Sequence, residues 1–366
     1  MSHKILIKVG VYIFLIFLLN SCERTFEVFS SNKIIFSRGQ VNRWPYEEIW
    51  IMDSDGRNPV MLKKEEGFDL FNPKWSPDGK KIVYSQYKYK NSKICIITYH
   101  EKKQIIFPKK KQIIFPNDSL QYRRASWSPD GKWLAFSGAE STEDDGDIYI
   151  MEINGKNKIK IASTPNNDLS PIWSPDGKNI AFISGPNYGS KILDVEYVKT
   201  KGNSDIYIVN IDSKKQIRLT DNPTNDLGIS WSPDGRKIVY TSWQDNNYEI
   251  FVIDDIDTKS KRRLTNNSVD EWSPIWAPDG KAIAFVSENV LCLMDSEGKN
   301  KVKLTDKTQC YIYGIGIPNW SSDGKKIVFD ANDDIYIIDR DGKNLKNLTN
   351  TKDCWESFPS WRPIPK

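Results

Sequence analysis

Six times in this chain a tryptophan is followed at fixed spacing by residues that could do chemistry. WSPDGK stands at 75–80, 127–132 and 173–178, WSPDGR at 231–236, WAPDGK at 276–281 and WSSDGK at 320–325. The last stretch, WRPIPK, keeps only Trp361 and Pro363. Repeated carboxylates beside hydroxyls and amines could ring a cation. Three further stretches, DSDG (53–56), DSEG (295–298) and DRDG (339–342), echo the start of a calcium loop but lack its downstream ligands and terminal glutamate. A second acidic series precedes the tryptophans. Asp168, Asp226, Glu271 and Glu356 lie five residues before one, and Asp69 and Asp270 six before. Such a series could attract a cation such as calcium, or a peptide carrying Lys or Arg.

The elements that position these groups follow from the repeat. The tryptophans at 75, 127, 173, 231, 276, 320 and 361 are 52, 46, 58, 45, 44 and 41 residues apart. Each of the first six is followed by a short β-rich run (IVYS, LAFS, IAFI, IVYT, IAFV, IVFD), then by a second (KICIIT, DIYIME, DIYIVN, EIFVID, VLCLMD, DIYIID). A third run is shorter and half polar, so each unit reads as four strands. Two local events account for the longest spacings. KKQIIFPKKKQIIFPN is an eight-residue tandem duplication (102–109 and 110–117), and 185–204 is an insertion in one loop.

A four-stranded unit of about 45 residues cannot bury both faces alone, so the units must stack. Radial stacking into a β-propeller covers both faces and leaves only short edges. Before Trp75 the chain offers IIFS, EIWIMD and VMLKK, a blade without its first strand; FPSWRP at 358–363 is a first strand without its blade. Joining them predicts an all-β propeller of seven four-stranded blades closed by its terminal strands, with six blades as the alternative. In this frame Ser-Pro-Asp-Gly is hairpin chemistry: proline presets φ, aspartate bonds nearby backbone, and glycine supplies a positive φ. The tryptophan offers an apolar face to the adjacent blade. The DSDG-type stretches read as hairpin turns as well.

The repeat WSPDG-x-x-(I/L)-(A/V)-(F/Y), then (D/E)-I-(Y/F)-(I/V), then (R/K)-L-T, resembles the propeller repeats of the TolB-like family from about residue 33 onward. The resemblance implies the fold and an envelope setting. Family members that bind a peptidoglycan-associated lipoprotein carry an α/β domain before the propeller, for which this sequence offers no room, so their partners are not carried over. The start, MSHKILIKVGVYIFLIFLLNSC, has Lys4 and Lys8 before an apolar run from Val9 to Leu19. It reads as an export signal, and Leu19-Asn20-Ser21-Cys22 resembles the bacterial lipobox. The expected organisation is a lipoprotein-type signal at 1–21, lipidation at Cys22, a tether at 22–32 and one propeller at 33–366.

Net charge is +4, or +2 once Lys4 and Lys8 leave with the signal, and no basic stripe points to nucleic acid. Export permits disulfides. Cys310 and Cys354 hold corresponding positions after LT strand endings and form a candidate pair, whereas Cys95 and Cys292 read as buried apolar residues.

Beyond the predicted signal the only histidine is His100, and G-x-S-x-G, P-loop and G-x-G-x-x-G motifs are absent. A hydrolase or lyase built on a carboxylate pair stays open, with no pair singled out. The expected function is a lipid-anchored, monomeric envelope module. It binds a protein or peptide through the loop face opposite the WSPDG turns and needs no cofactor. The alternative is a carbohydrate- or cation-dependent binder, with calcium as the candidate ion. Loop aromatics Trp44, Tyr46, Tyr87, Tyr188, Trp243 and Tyr248 are the candidate contacts. Asp168, Asp226, Glu271 and Glu356, each near the start of an innermost strand, are the candidate acidic collar of the central channel.

Overall fold

The computed structural model describes residues 32–40, 47–88, 91–99, 112–113, 121–140, 145–186, 203–312 and 316–364. The predicted signal, Cys22, Trp44, Tyr46, Tyr89, Tyr188 and His100 lie outside them. Among the described residues every regular element is a strand, and the strands form seven four-stranded antiparallel sheets.

Blade 1 is composite. Its inner strand is Cys354–Trp361, which pairs with Lys33–Gln40; Glu47–Asp53 and Val60–Lys63 complete it. The closing register runs from Ile34 opposite Trp361 to Gln40 opposite Cys354, so the chain ends zip the ring as the strand count requires. Blades 2 to 6 begin with inner strands Asp69–Trp75, Gln121–Trp127, Asn167–Trp173, Asp226–Trp231 and Glu271–Trp276. Blade 7 has only Asn319–Trp320 in that place.

The core consists of seven clusters, and each lies between two neighbouring blades. Ile35, Ile49 and Leu62 of blade 1 meet Trp75, Ile82 and Tyr84 of blade 2. Ile34, Phe36 and Trp361 of blade 1 meet Val328, Ile335 and Ile337 of blade 7. The remaining clusters repeat the pattern around the circle. This is the burial that no single blade achieves. Every blade tryptophan packs against the preceding blade, so the residue that marks the repeat in sequence also joins the units in space.

Tyr87, Trp243 and Tyr248, expected on loops of the face opposite the WSPDG turns, lie on strands instead. Strand pairing continues to Lys88 opposite Asn91 and to Gln244 opposite Asn247. Asp245-Asn246, Glu288-Asn289 and Asn332-Asp333 are two-residue connections with both φ angles positive, a geometry that matches the strand twist. Among the connections between the second and third strands of a blade, the long ones are therefore those of blades 1, 3 and 4, between Gln40 and Glu47, Ala139 and Asp147, and Gly185 and Asp205.

Cys310 and Cys354 are free thiols, which corrects the candidate disulfide. Cys310 is turned fully inward, into the cluster between blades 6 and 7. Cys354 is half-buried on blade 1, opposite Gln40. Corresponding loop positions thus face different surroundings. Cys95 and Cys292 are buried in the core, as expected.

Candidate functional site

The WSPDG turns close on themselves. Ser76 Oγ donates to Asp78 Oδ1 at 2.5 Å, Lys80 N donates to the same oxygen at 3.0 Å, and Lys81 N donates to Ser76 Oγ at 2.8 Å. Blades 3, 4, 5 and 7 repeat this arrangement from Ser128, Ser174, Ser232 and Ser321. The Ser232 hydroxyl, outweighing partial desolvation, holds Asp234 below the ordinary carboxylate range. Successive turns also abut. A Cβ added to Gly131, Gly177, Gly235, Gly280 or Gly324 would sit 3.5–3.7 Å from the proline ring of the preceding turn. The rim is a continuous belt of hairpins with its carboxylates occupied. The DSEG stretch is likewise a turn, since Glu297 N and Lys299 N both donate to Asp295 Oδ1. Among the described residues no group of three or more His, Cys, Asp or Glu side chains is placed to hold a metal ion.

The acidic series does not form an open collar. Asp168 and Asp226 are fully buried, and Glu271 and Glu356 are 2% exposed. Asp168 accepts from Thr164 N at 2.9 Å and from Thr164 Oγ1 at 2.7 Å. Glu271 accepts from Asn267 Nδ2 at 2.8 Å. Glu356 accepts from Arg38 Nε at 2.8 Å, Thr351 Oγ1 at 2.8 Å and Thr349 Oγ1 at 3.1 Å. The backbone amides of Asp168, Asp226 and Glu356 meanwhile donate to Gly146, Ser204 and Asp333, in loops of the preceding blade. Each carboxylate ties the loop that carries the chain from one blade to the next. Asp69 and Asp270 serve similarly, accepting from Glu47 N and Tyr248 N. Burial raises Asp69, Asp168 and Asp226 to about 6, and Glu47 to about 7.

The described aromatics are only partly available. Tyr248 is fully buried against Trp272, with ring centroids 3.9 Å apart, and Trp243 packs edge-on to it at 4.9 Å. Tyr248 is a core residue, which corrects its assignment as a loop contact. Trp243 and Tyr87 are half-buried at strand ends.

A feature that sequence reasoning missed lies on the inner strands. Three residues before the blade tryptophan, Asn72, Arg124, Ser170, Gly228, Ser273 and Phe358 all have φ between 50° and 61°. In blades 2 to 6 the ladder register shifts at the same place, so each of these inner strands bulges. Neighbouring bulges touch around the axis: Arg124 Nη1 donates to Ser170 Oγ at 2.7 Å. In three blades the tryptophan N–H also reaches back to the preceding inner strand. Trp127, Trp231 and Trp320 donate to the carbonyls of Lys74, Ile172 and Ile275 at 3.2, 3.3 and 3.4 Å. The bulge position varies freely in residue type within an otherwise constant repeat, and that irregularity is the only signal it leaves in the sequence.

Fold and inner ring together define a seven-bladed propeller of the Trp-Ser-Pro-Asp-Gly type. The family model for the TolB beta propeller domain matches residues 27–197 and 186–309, and the chain belongs to that family. It is similar to the Protein TolB homolog of Chlorobium luteolum, 29% identical over 160 residues, which are 43% of this chain and 32% of that protein. It is also similar to the uncharacterized peptidase YuxL of Bacillus subtilis, 25% identical over 197 residues, 47% of this chain and 29% of the relative. The matches thus span about a third of these relatives' own length. Among solved structures, TolB from Acinetobacter baumannii superposes with a TM-score of 0.55 at 20% identity, covering 92% of this chain and 68% of that one. That likeness is one of fold.

Proposed function

We propose that this chain is a lipid-anchored propeller of the cell envelope that binds a protein or peptide. Contact is through the face opposite the WSPDG belt, on the side of blades 1, 3 and 4. The observation that carries the reading is the contrast between the two faces. The belt is closed, with its aspartates engaged by their own turns and its glycines packed on neighbouring prolines. The opposite face holds the long connections and the exposed Glu140 and Asp145. Membership of the TolB propeller family and the TolB relatives support an exported, protein-binding role. The anchor at Cys22 and the monomeric state belong to the same proposal.

A photo-crosslinking residue placed at Glu140, in the full chain in its native membrane, is expected to capture a defined envelope protein. The same residue at Lys178, on the belt, is expected to capture none. Equal capture from both positions, or clear glycan binding with no protein adduct, would overturn the reading.

A further inference from the structure

The two faces of the ring carry opposite charge. The belt face holds the turns between first and second strands and those between third and fourth, and the two sets are tied together. The backbone N–H groups of Tyr99, Ile153, Ile211 and Arg340 donate to the carbonyls of Lys80, Lys132, Lys178 and Lys325 at 2.8, 3.0, 2.9 and 2.8 Å. Among the described residues these connections carry seventeen Lys and Arg against eleven Asp and Glu, a net charge of +6. The connections of the opposite face carry three against eleven, a net charge of −8. The small total charge of the chain thus hides a dipole along the ring axis.

Lys80, Lys132, Lys178, Arg236, Lys281 and Lys325, one from each of blades 2 to 7, are all exposed on the belt. The aspartate two residues before each accepts that residue's backbone N–H at 2.9–3.1 Å, which turns the carboxylate toward its own hairpin. Val60 and Val302, each the first residue of an outer strand after a belt-face turn, are 44% and 51% exposed. Ile364, whose N–H reaches Ser322 Oγ in the blade 7 turn, is 48% exposed. Apolar side chains thus stand at the same end of the blades as the cations. The chain also enters the ring here. Ser54 N donates to the Asn32 carbonyl at 3.0 Å, so Asn32 takes the place that Lys80, Lys132 and Lys178 hold in their blades. Cys22 lies ten residues before Asn32, a reach of at most about 36 Å. Bringing the opposite face to the anchoring lipid would require the chain to climb the blade, about 26 Å for the eight-residue strand Lys33–Gln40.

We propose that the belt face lies on the anionic phospholipid headgroups of the membrane that holds the anchor, so that the acidic face points away from it, toward the partner. This rests on the anchor at Cys22 proposed above and adds the orientation of the ring. A headgroup layer is broad and negative across its whole extent. It suits cations spread over six blades better than a single anionic groove on a protein would, and it admits the exposed valines between lipids.

The lipidated full chain is reconstituted in phosphatidylcholine vesicles with and without phosphatidylglycerol, each doped with nitroxide-labelled headgroups. A fluorescent residue introduced at Lys178 is expected to be quenched severalfold more than one at Glu140 when phosphatidylglycerol is present, and the contrast is expected to shrink without it. Joint replacement Lys80→Gln, Lys132→Gln, Lys281→Gln and Lys325→Gln should lower the ratio of belt-down to other orientations at least about tenfold. These exposed substitutions should leave the thermal midpoint unchanged. Raising the salt on the parent protein should act in the same direction with no substitution at all. Equal quenching at the two positions, stronger quenching at Glu140, a contrast indifferent to phosphatidylglycerol and salt, or a protein adduct from Lys178 would overturn the proposal and leave the anchor standing. An unmodified Cys22, read by mass spectrometry of the membrane-extracted chain, would remove both.

Discussion

Closure of the ring can be tested at a single buried pair. Glu356 lies near the start of the innermost strand of blade 1 and meets Arg38, 318 residues away in sequence, at 2.8 Å. The carboxylate side chain is fully buried and the guanidinium 13% exposed. Glu356→Ala removes three hydrogen bonds, from Arg38, Thr349 and Thr351, and leaves Arg38 without its carboxylate on the faces of Phe36 and Trp50. Breaking a buried pair from one side costs about 3–5 kcal/mol, mostly through the charge left behind. An unfolding entropy of about 2.1 cal/mol/K per residue gives a ring of this size about 0.7 kcal/mol/K, so the midpoint should fall by roughly 4–7 °C. Desolvation holds Glu356 above its ordinary range even beside Arg38, so the charge itself is costly. Glu356→Gln, which keeps the shape and part of the bonding, should therefore lose no more than about half as much. The control is Lys64→Ala, which removes an exposed pair with Glu48 at 2.7 Å and should cost under about 1 kcal/mol. Differential scanning calorimetry of the three variants decides the matter. Were Glu356→Ala to unfold within a degree of the Lys64→Ala control, the argument that this pair fastens the ring would fail.

Two further outcomes follow from the buried carboxylates and the hairpin belt. Asp168 and Asp226 have folded-state values near 6, above their ordinary value, so between about pH 4 and 6 the folded chain holds protons that the unfolded chain has released. Stability should fall as pH rises through that window, by about 1–3 kcal/mol per group, and then level off. Urea midpoints should thus be higher at pH 5 than at pH 7.5, and Asp168→Asn with Asp226→Asn should flatten the slope; a parent protein equally stable at both pH values would count against it. Gly177 has φ of 72° with its nearest outside neighbour, Pro129, 3.7 Å from a Cβ position, so space is adequate and conformation is the obstacle. Gly177→Ala should cost about 1–2 kcal/mol and Gly177→Asn distinctly less, and equal losses in denaturant titration would point to crowding instead.

Much of the architecture is legible because it is written in short-range patterns repeated many times. The period of the tryptophans, the paired apolar runs and the Ser-Pro-Asp-Gly chemistry each act over a few residues, and repetition separates them from chance. The split first blade was legible for the same reason, since three strands before Trp75 and one at the chain's end are complementary fragments. The site was far less so. Asp168 and Glu271 look like free ligands in the sequence because nothing near them reveals that Thr164 and Asn267 will fold back to satisfy them. Tyr248 looks like a loop aromatic because its burial depends on Trp272, in the next blade.

The sequence by itself thus determined the repeat, the propeller architecture with seven blades favoured, and the role of the WSPDG turn, all of which rest on local turn preference and on short apolar runs recurring at the tryptophan period. Only the tertiary structure decided which carboxylates are withdrawn into loops and where the inner strands bulge. Those outcomes arise from contacts between blades, where residues that are distant or unremarkable in the chain are brought to one axis, and desolvation and charge act on neighbours that no local pattern names.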